Sequence, residues 1–220
     1  MQTKEMLNKL IPTLSTKDIG DYALSLMDDL KLKHLPVVGE SGMYSFLLSE
    51  KDIFQMTSTA SPIIESGVFA PCIQENTSII DILHVMAKDK LSLLPVIDSE
   101  GRYLGAVTTE QLVEKLDEIT HAGISGSIIA LSLNAMDYSL SQIANLAESN
   151  HVQIRTLFTF PVQQTNQLTI LLKTDAEDAS SFLRSLERFN YQVLYYSQNG
   201  GLVDEIMKKR LDELMYYLEM

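Results

Sequence analysis

One feature constrains this chain more than any other: its first half is written twice. Leu32-Lys33-His34-Leu35-Pro36-Val37-Val38-Gly39-Glu40-Ser41-Gly42-Met43-Tyr44 aligns without a gap on Leu91-Ser92-Leu93-Leu94-Pro95-Val96-Ile97-Asp98-Ser99-Glu100-Gly101-Arg102-Tyr103. The offset is 91 − 32 = 59 residues, and Leu, Leu-Pro-Val, Gly and Tyr coincide. The same offset pairs Pro12 with Pro71, Leu24 with Leu83, Met27 with Met86 and Lys31 with Lys90. A period of this length is one supersecondary unit made twice. Two such copies are expected to pack as a pseudo-symmetric pair around a shared sheet face.

Each copy reads alike. A short strand follows the first proline, near Leu14 and Ile73. An amphipathic helix comes next, its apolar face Ile19, Tyr22, Ala23, Leu26, Met27 and Leu30 in one copy and Ile79, Ile82, Leu83, Val85 and Met86 in the other. Asp18, and Thr77 or Ser78, are placed to cap the helix starts. Strands are expected at 35–38 and 94–97. Polar turns follow, and second strands at 44–48 and 103–107. A further helix then opens at Ser49, and at Thr108 or Thr109.

Leu35-Pro36-Val37-Val38 with Gly42, Leu94-Pro95-Val96-Ile97-Asp98 with Gly101, and Gly105-Ala106-Val107-Thr108-Thr109-Glu110 together resemble a tandem pair of CBS domains. The resemblance covers about residues 10–120, as repeats of about 10–60 and 70–120 within a unit 1–120.

Residues 121–126, His-Ala-Gly-Ile-Ser-Gly, read as a linker. Beyond it the pattern predicts a strand at 127–133, a helix at 139–149, strands at 152–160 and 168–172, a helix at 175–189 and a strand at 191–195. That order, βαββαβ, is the ferredoxin-like arrangement, and over 127–198 it is similar to an ACT domain. The expected class is therefore α+β: two CBS repeats, a ferredoxin-like unit and a C-terminal helix in 199–220. In that tail Val203, Met207, Leu211, Leu214 and Leu218 form one apolar stripe that calls for a docking surface. The whole order resembles the acetoin-utilisation class of bacterial CBS–ACT proteins.

Two helix starts carry the candidate chemistry. In CBS sites for adenosyl ligands a Ser or Thr at this start bonds phosphate, and an Asp three residues on accepts the ribose hydroxyls. The resemblance carries these roles to Ser49 and Asp52 in the first copy and to Thr108 in the second. Amides at a helix start favour anions, and a carboxylate can accept from both hydroxyls of a diol. The plainer role of both sets is capping: Ser49 with Asp52 in the first turn, and Thr108-x-x-Gln111 as a capping box. Neither copy keeps the whole nucleotide pattern. Phe46 stands where the second copy has Gly105, with volume enough to take up the space of a purine ring, and Gln111 stands where the first copy has Asp52. If one copy binds a nucleotide, the carboxylate makes it the first. In the later unit, Tyr138 stands at about the place of the glycine that lets backbone approach the ligand in amino-acid-binding ACT domains. Asn134 or Asp137 is expected to cap the following helix.

Other chemistries are excluded or left without support. No histidine among His34, His84, His121 and His151 has a metal-type partner at i+4, and Cys72 is the sole cysteine, so neither a zinc site nor an intramolecular disulfide is expected. Cys72 itself is expected as a buried, inert thiol in a strand. Tyr195-Tyr196 and Tyr216-Tyr217 can serve an interface, the core or the surface. No phosphate-binding Gly-rich loop, nucleophile elbow or acid–base cluster appears, so an enzyme is not expected. With 17 basic against 29 acidic residues, a net −12, there is no field for nucleic acid or an anionic membrane. The absence of an apolar signal stretch and the lone cysteine place the chain in the cytoplasm.

Two functions follow. The first is a non-catalytic regulatory module, a homodimer through Leu26, Met27, Leu30, Leu83 and Met86, sensing an adenosine nucleotide or S-adenosylmethionine and coupled to the ACT-like unit. The second is a dimeric scaffold with degenerate sites that holds a protein partner.

Overall fold

The computed structural model describes residues 3–63 and 69–198. The chain falls into two compact units, Met1–Leu116 and Asp117–Met220.

The first unit opens with a 3-10 turn, Thr3–Met6. Helix α1 (Gly20–Leu30), strands β1 (His34–Val38) and β2 (Tyr44–Ser49) and the short helix α2 (Glu50–Phe54) make the first repeat. Strand β3 (Ile73–Gln74), helix α3 (Ile79–Asp89), strands β4 (Leu93–Ile97) and β5 (Tyr103–Thr108) and helix α4 (Thr109–Thr120) make the second.

The 59-residue offset holds bond by bond. Strands β1 and β2 are antiparallel with His34 opposite Ser49, Pro36 opposite Leu47 and Val37 opposite Phe46. Strands β4 and β5 place Leu93 opposite Thr108, Pro95 opposite Ala106 and Val96 opposite Gly105. Both hairpins shift register at the same step, Val37/Val38 and Val96/Ile97. Both helices are 11 residues long and stop on a lysine in the left-handed region, Lys31 at φ 55° and Lys90 at φ 54°.

The repeats differ at their starts. The strand expected near Leu14 is a single bridged residue, parallel to Val37, where Ile73 and Gln74 form a true strand on β4. The cause is local: beyond Leu14 the chain turns at once, Ser15 N–H donating to the Asp18 carboxylate at 2.7 Å. Asp18, expected as the α1 cap, is spent on that turn, and the N-cap is Ile19, which offers no side-chain bond. Thr77 closes the equivalent turn in the second repeat, accepting from Gln74 N–H at 3.1 Å. That leaves Ser78 to cap α3 by accepting from Asp81 N–H.

The buried helix faces are narrower than the apolar pattern implied. Ala23 and Met27 of α1, and Ile82 and Met86 of α3, are buried, while Ile19, Tyr22, Leu30, Ile80 and Leu83 are exposed. Beneath the helices Leu14, Leu35, Val37, Leu93, Leu94 and Val96 form the core. Each such side chain contributes about 1.5–3 kcal/mol on burial. The repeats are tied by reciprocal bonds, Tyr44 N–H to Gly101 O and Tyr103 N–H to Gly42 O, both 3.0 Å.

In the second unit, strand β6 (Ile128–Asn134), helix α5 (Leu140–Ser149), strands β7 (Ile154–Pro161) and β8 (Gln167–Thr174), helix α6 (Ser180–Arg188) and strand β9 (Gln192–Ser197) follow in order. The sheet runs β7-β8-β6-β9, antiparallel throughout. Ile129, Leu131 and Leu133 alternate inward from β6 and meet Ile143 and Leu146 of α5 and Phe182 and Leu186 of α6. Leu140, the first residue of α5, is exposed. Phe158 and Phe160 on β7 are exposed as well, with ring centroids 6.3 Å apart.

Helix α6 begins five residues later than the pattern predicts. Asp175 is held extended: its N–H donates to Gln153 O at 3.0 Å, and its carboxylate accepts from Gln153 N–H at 2.8 Å. The α5 cap is Ser139, which accepts from Gln142 N–H. Neither Asn134 nor Asp137 caps it, because a 3-10 turn (Ala135–Asp137) intervenes and Asn134 caps that turn through Met136 N–H. Gly126, at φ 142°, lies so close to β8 that a Cβ there would fall 2.0 Å from Thr174 O. The expected tail helix, with Tyr216 and Tyr217, lies outside the described residues.

Candidate functional site

Both candidate helix starts are capping boxes, each built where a β-hairpin strand turns straight into a helix. In the first repeat Ser49 Oγ accepts from Asp52 N–H at 3.2 Å, and Asp52 Oδ2 accepts from Ser49 N–H at 2.9 Å and from its hydroxyl at 2.6 Å. In the second, Thr108 Oγ1 accepts from Gln111 N–H at 3.2 Å. Gln111 Oε1 in turn accepts from Thr108 N–H at 3.0 Å and from its hydroxyl at 3.2 Å. The two sets superpose in role, residue for residue, at the 59-residue offset. The structure does not bring Ser49 or Asp52 together with Thr108 through any of these bonds.

What surrounds them differs. Helix α2 has 5 residues and α4 has 12, so the helix dipole that favours an anion is developed at Thr108 and hardly at Ser49. Phe46, three pairs from the Ser49 end of the hairpin, is buried opposite Val37. At the matching position Gly105 has φ 148° and backs onto the N-terminal segment: a Cβ there would stand 2.7 Å from Asn8 O. Asn8 and Ala106 exchange both backbone bonds, at 2.9 and 3.0 Å. The glycine thus admits a strand-like segment of this chain.

A recess of about 360 Å³ lies at the second helix start. Thr108, Gln111, Ser92 and the Glu110 carboxylate supply polar wall, and Ile11, Leu30 and Leu32 supply apolar wall. Lys31 also lines it, but its ammonium is bound to Asp28 Oδ1 at 3.1 Å. Because Gln111 Oε1 is taken by the cap, the part of that side chain left for a ligand is its NH₂, a pair of donors.

Ser92 joins the recess to the other repeat. Its hydroxyl accepts from Lys33 N–H at 3.0 Å and lies 3.0 Å from His34 Nδ1, which also accepts from Ser92 N–H at 3.2 Å. Burial holds the His34 pKa below its ordinary value, partly countered by the Asp52 and Glu50 carboxylates. Sequence reading passed over Ser92, Asn8 and Ile11. The 59-residue offset pairs Ser92 with Lys33, an unlike residue, and the alignment reaches no further back than Pro12.

Cys72 is exposed and precedes β3, contrary to the buried strand position expected for it. Partial desolvation nonetheless raises its pKa, which keeps the thiol protonated. Among the described residues no group of three or more His, Cys, Asp or Glu could hold a metal ion. No helix among them is long and apolar enough to cross a membrane.

Residues 61–118 match the family model of the CBS domain. The first unit, with two copies of that pattern in one register, is a CBS domain pair. Among curated proteins, a homoserine O-acetyltransferase of Methanosarcina acetivorans is 27% identical over 110 residues, 49% of this chain and 20% of that protein. An inosine-5'-monophosphate dehydrogenase of Methanocaldococcus jannaschii is 22% identical over 114 residues, 50% of this chain and 23% of that protein. The chain thus matches about a fifth of the length of either enzyme. A solved CBS domain pair/ACT domain protein of Thermotoga maritima is similar over 54% of this chain and 98% of its own, at 20% identity and a TM-score of 0.49. The protein CBSX2, solved in complex with AMP, is similar over 54% of this chain and 97% of its own, at 16% identity and a TM-score of 0.47.

Proposed function

We propose that the chain is a non-catalytic regulatory module whose CBS pair senses an adenine nucleotide or a related small anion and whose second unit is ACT-like and responds to it. The observation that carries this reading is the recess at Thr108. It joins a helix start of useful length, the NH₂ donors of Gln111, and an apolar wall of Ile11, Leu30 and Leu32 suited to a purine face, with the Glu110 carboxylate on the same wall to take a ribose hydroxyl. A phosphate would lie toward Thr108 and the start of α4. Ser49 and Asp52 are the second position, weaker because α2 is short and Phe46 fills the neighbouring volume, although Asp52 offers a carboxylate where the second repeat has Gln111.

The βαββαβ order and the β7-β8-β6-β9 sheet support a ferredoxin-like, ACT-like second unit. The architecture supports a place in the acetoin-utilisation class, and the single cysteine suits the cytoplasm. Homodimerisation uses the exposed side of α1 and α3. Leu30 and Leu83 lie there with Tyr22 and Ile80, whereas Met27 and Met86, expected in the interface, are enclosed in their own unit. A monomer mass in sedimentation at micromolar concentration would overturn the dimer.

The deciding experiment is titration calorimetry of the full chain with AMP, ATP and S-adenosylmethionine, repeated on Gln111→Glu. This variant keeps an acceptor for Thr108 N–H, so the cap survives, but replaces donors by a negative charge facing the ligand. Nucleotide affinity is expected to fall roughly tenfold or more, with unfolding midpoint little changed. No heat from any of the three at millimolar concentration favours the alternative, a dimeric scaffold with degenerate sites. Equal binding by wild type and Gln111→Glu would move the ligand away from Thr108.

A further inference from the structure

The two hairpins match in backbone register, yet one contact between the repeats has no twin. His34 opens β1, and the residue 59 places on is Leu93, which cannot repeat its bonds. His34 Nδ1 faces Ser92, taking the backbone N–H at 3.2 Å with the hydroxyl at 3.0 Å. A nitrogen that accepts a backbone N–H carries no proton, so the ring is neutral with its proton on Nε2, and the Ser92 hydroxyl is the donor in the shorter contact. Ser92 Oγ accepts in turn from Lys33 N–H, and Ser92 O accepts from the first residue of α4, Thr109 N–H, both at 3.0 Å. One serine therefore ties the start of β1, the start of β4 and the start of α4, and it lines the recess.

We propose that His34 and Ser92 form a proton-operated latch between the two repeats, closed while the imidazole is neutral and opened when Nδ1 takes a proton. The chemistry follows from which atoms face each other. A protonated Nδ1 is a donor, and it would then confront the Ser92 amide, also a donor, across 3.2 Å. The Ser92 hydroxyl can reverse and accept from Nδ1–H at 3.0 Å, but the Ser92 amide then loses its acceptor and faces a donor, so Ser92 must shift, and it cannot shift without disturbing its bond to Thr109 at the wall of the recess. The charged groups around the ring pull in both directions. Lys33, its neighbour in the chain, opposes protonation; Glu50 and Asp52 on α2 favour it; Ser92 on the β4 side is neutral. Burial tips the balance toward the neutral ring, so the latch is closed at neutral pH and opens at a lower pH than an ordinary histidine titrates.

The test uses the full chain and needs no ligand. Imidazole ¹⁵N shifts of His34 report directly whether Nδ1 is a bare acceptor at neutral pH. Hydrogen-exchange protection of the Ser92 amide, corrected for intrinsic rates, is followed as pH falls through the titration of His34. Protection is expected to drop roughly tenfold or more in step with Nδ1 protonation. In His34→Gln, whose amide oxygen can accept the same N–H without titrating, protection should stay level. A proton on Nδ1 at neutral pH, constant Ser92 protection in the wild type, or an equal fall in His34→Gln would each overturn the latch. If His34→Gln does not fold, the wild-type ¹⁵N titration and Ser92 exchange decide alone, since they must share one midpoint. Neither measurement depends on nucleotide binding, so the latch and the nucleotide reading can fail separately.

Discussion

The two repeats of the first unit share a backbone and differ in what they can do with it. Their hairpins have one register, their bulges fall at the same step, and α1 and α3 stop on equivalent lysines. Yet the first repeat has Phe46 where the second has Gly105, a helix of 5 residues where the second has 12, and Asp52 where the second has Gln111. Alternating apolar residues and turn chemistry set the backbone in both. Function depends on single positions that the backbone tolerates in more than one way, so duplication left them free to diverge. Of the pair, the second repeat kept space and the first kept the carboxylate.

Exchanging the residues at that divergent position should give the largest effects. Gly105→Phe places a Cβ 2.7 Å from Asn8 O and 2.9 Å from Leu7 Cδ1 at a φ of 148°. The Asn8–Ala106 bonds must part, and the loss is expected at about 4 kcal/mol or more, measured by urea unfolding. The reverse change, Phe46→Gly, empties a buried position and should cost about 3–5 kcal/mol. If Phe46 is what keeps the first repeat closed, the same variant should gain nucleotide binding that Asp52→Asn then removes. A Gly105→Phe variant of wild-type stability would show that the N-terminal segment does not need that space.

Caps come next in size. Ser49→Ala and Thr108→Ala each delete one reciprocal capping box, and about 0.5–2 kcal/mol is expected at each site. The comparison is in the second readout. Thr108→Ala should weaken nucleotide binding and Ser49→Ala should not, because the recess of the proposed site adjoins the Thr108 cap. Equal losses of affinity in the two variants would mean that the repeats bind alike.

The backbone was legible in the sequence because duplication supplies an internal alignment. The 59-residue offset places equivalent strands at 35–38 and 94–97 and at 44–48 and 103–107. The second unit was legible through its 2.0 and 3.6 periods, and its misplacements have local causes. Asp175 looked like a helix start but is bonded sideways to Gln153, and Asn134 looked like the α5 cap but serves an intervening 3-10 turn. Buried helix width was overstated, since Tyr22, Leu30 and Leu83 fit the apolar pattern and yet face outward. The candidate site was half legible. Ser49, Asp52 and Thr108 stood out as helix starts, but the recess depends on residues brought from elsewhere, Asn8 and Ile11 from the N-terminal segment and Ser92 from the bend before β4. Periodicity carries no signal for such meetings.

The smallest expected difference between the repeats lies in their hairpin turns, and acid should expose it. Gly39 and Asp98 occupy equivalent positions, and only Asp98 has a carboxylate, whose Oδ1 accepts from Glu100 N–H at 2.8 Å and from Arg102 N–H at 2.9 Å. The bond from Arg102 N–H, with smaller help from Glu100, the Arg102 charge and Gly101, holds the Asp98 pKa below its ordinary 3.8. A carboxyl with a lowered folded pKa adds stability that is present above the unfolded value of 3.8 and is lost as pH falls through the folded one. Asp98→Asn keeps the acceptor oxygen and drops the charge. At neutral pH the wild type should therefore unfold at a slightly higher urea concentration than Asp98→Asn, and the gap should close once pH is well below 3.8. Gly39→Asp asks the converse question of the first turn. Gly39 N–H already bonds Met43 O at 2.9 Å, as Asp98 N–H bonds Arg102 O at 3.0 Å, so an added carboxylate there would find the same frame. A gain in the urea midpoint for Gly39→Asp that disappears in acid would make the two turns equivalent apart from one side chain. A gap between wild type and Asp98→Asn that persists unchanged in acid would place the effect in the shape of the side chain and not in its charge.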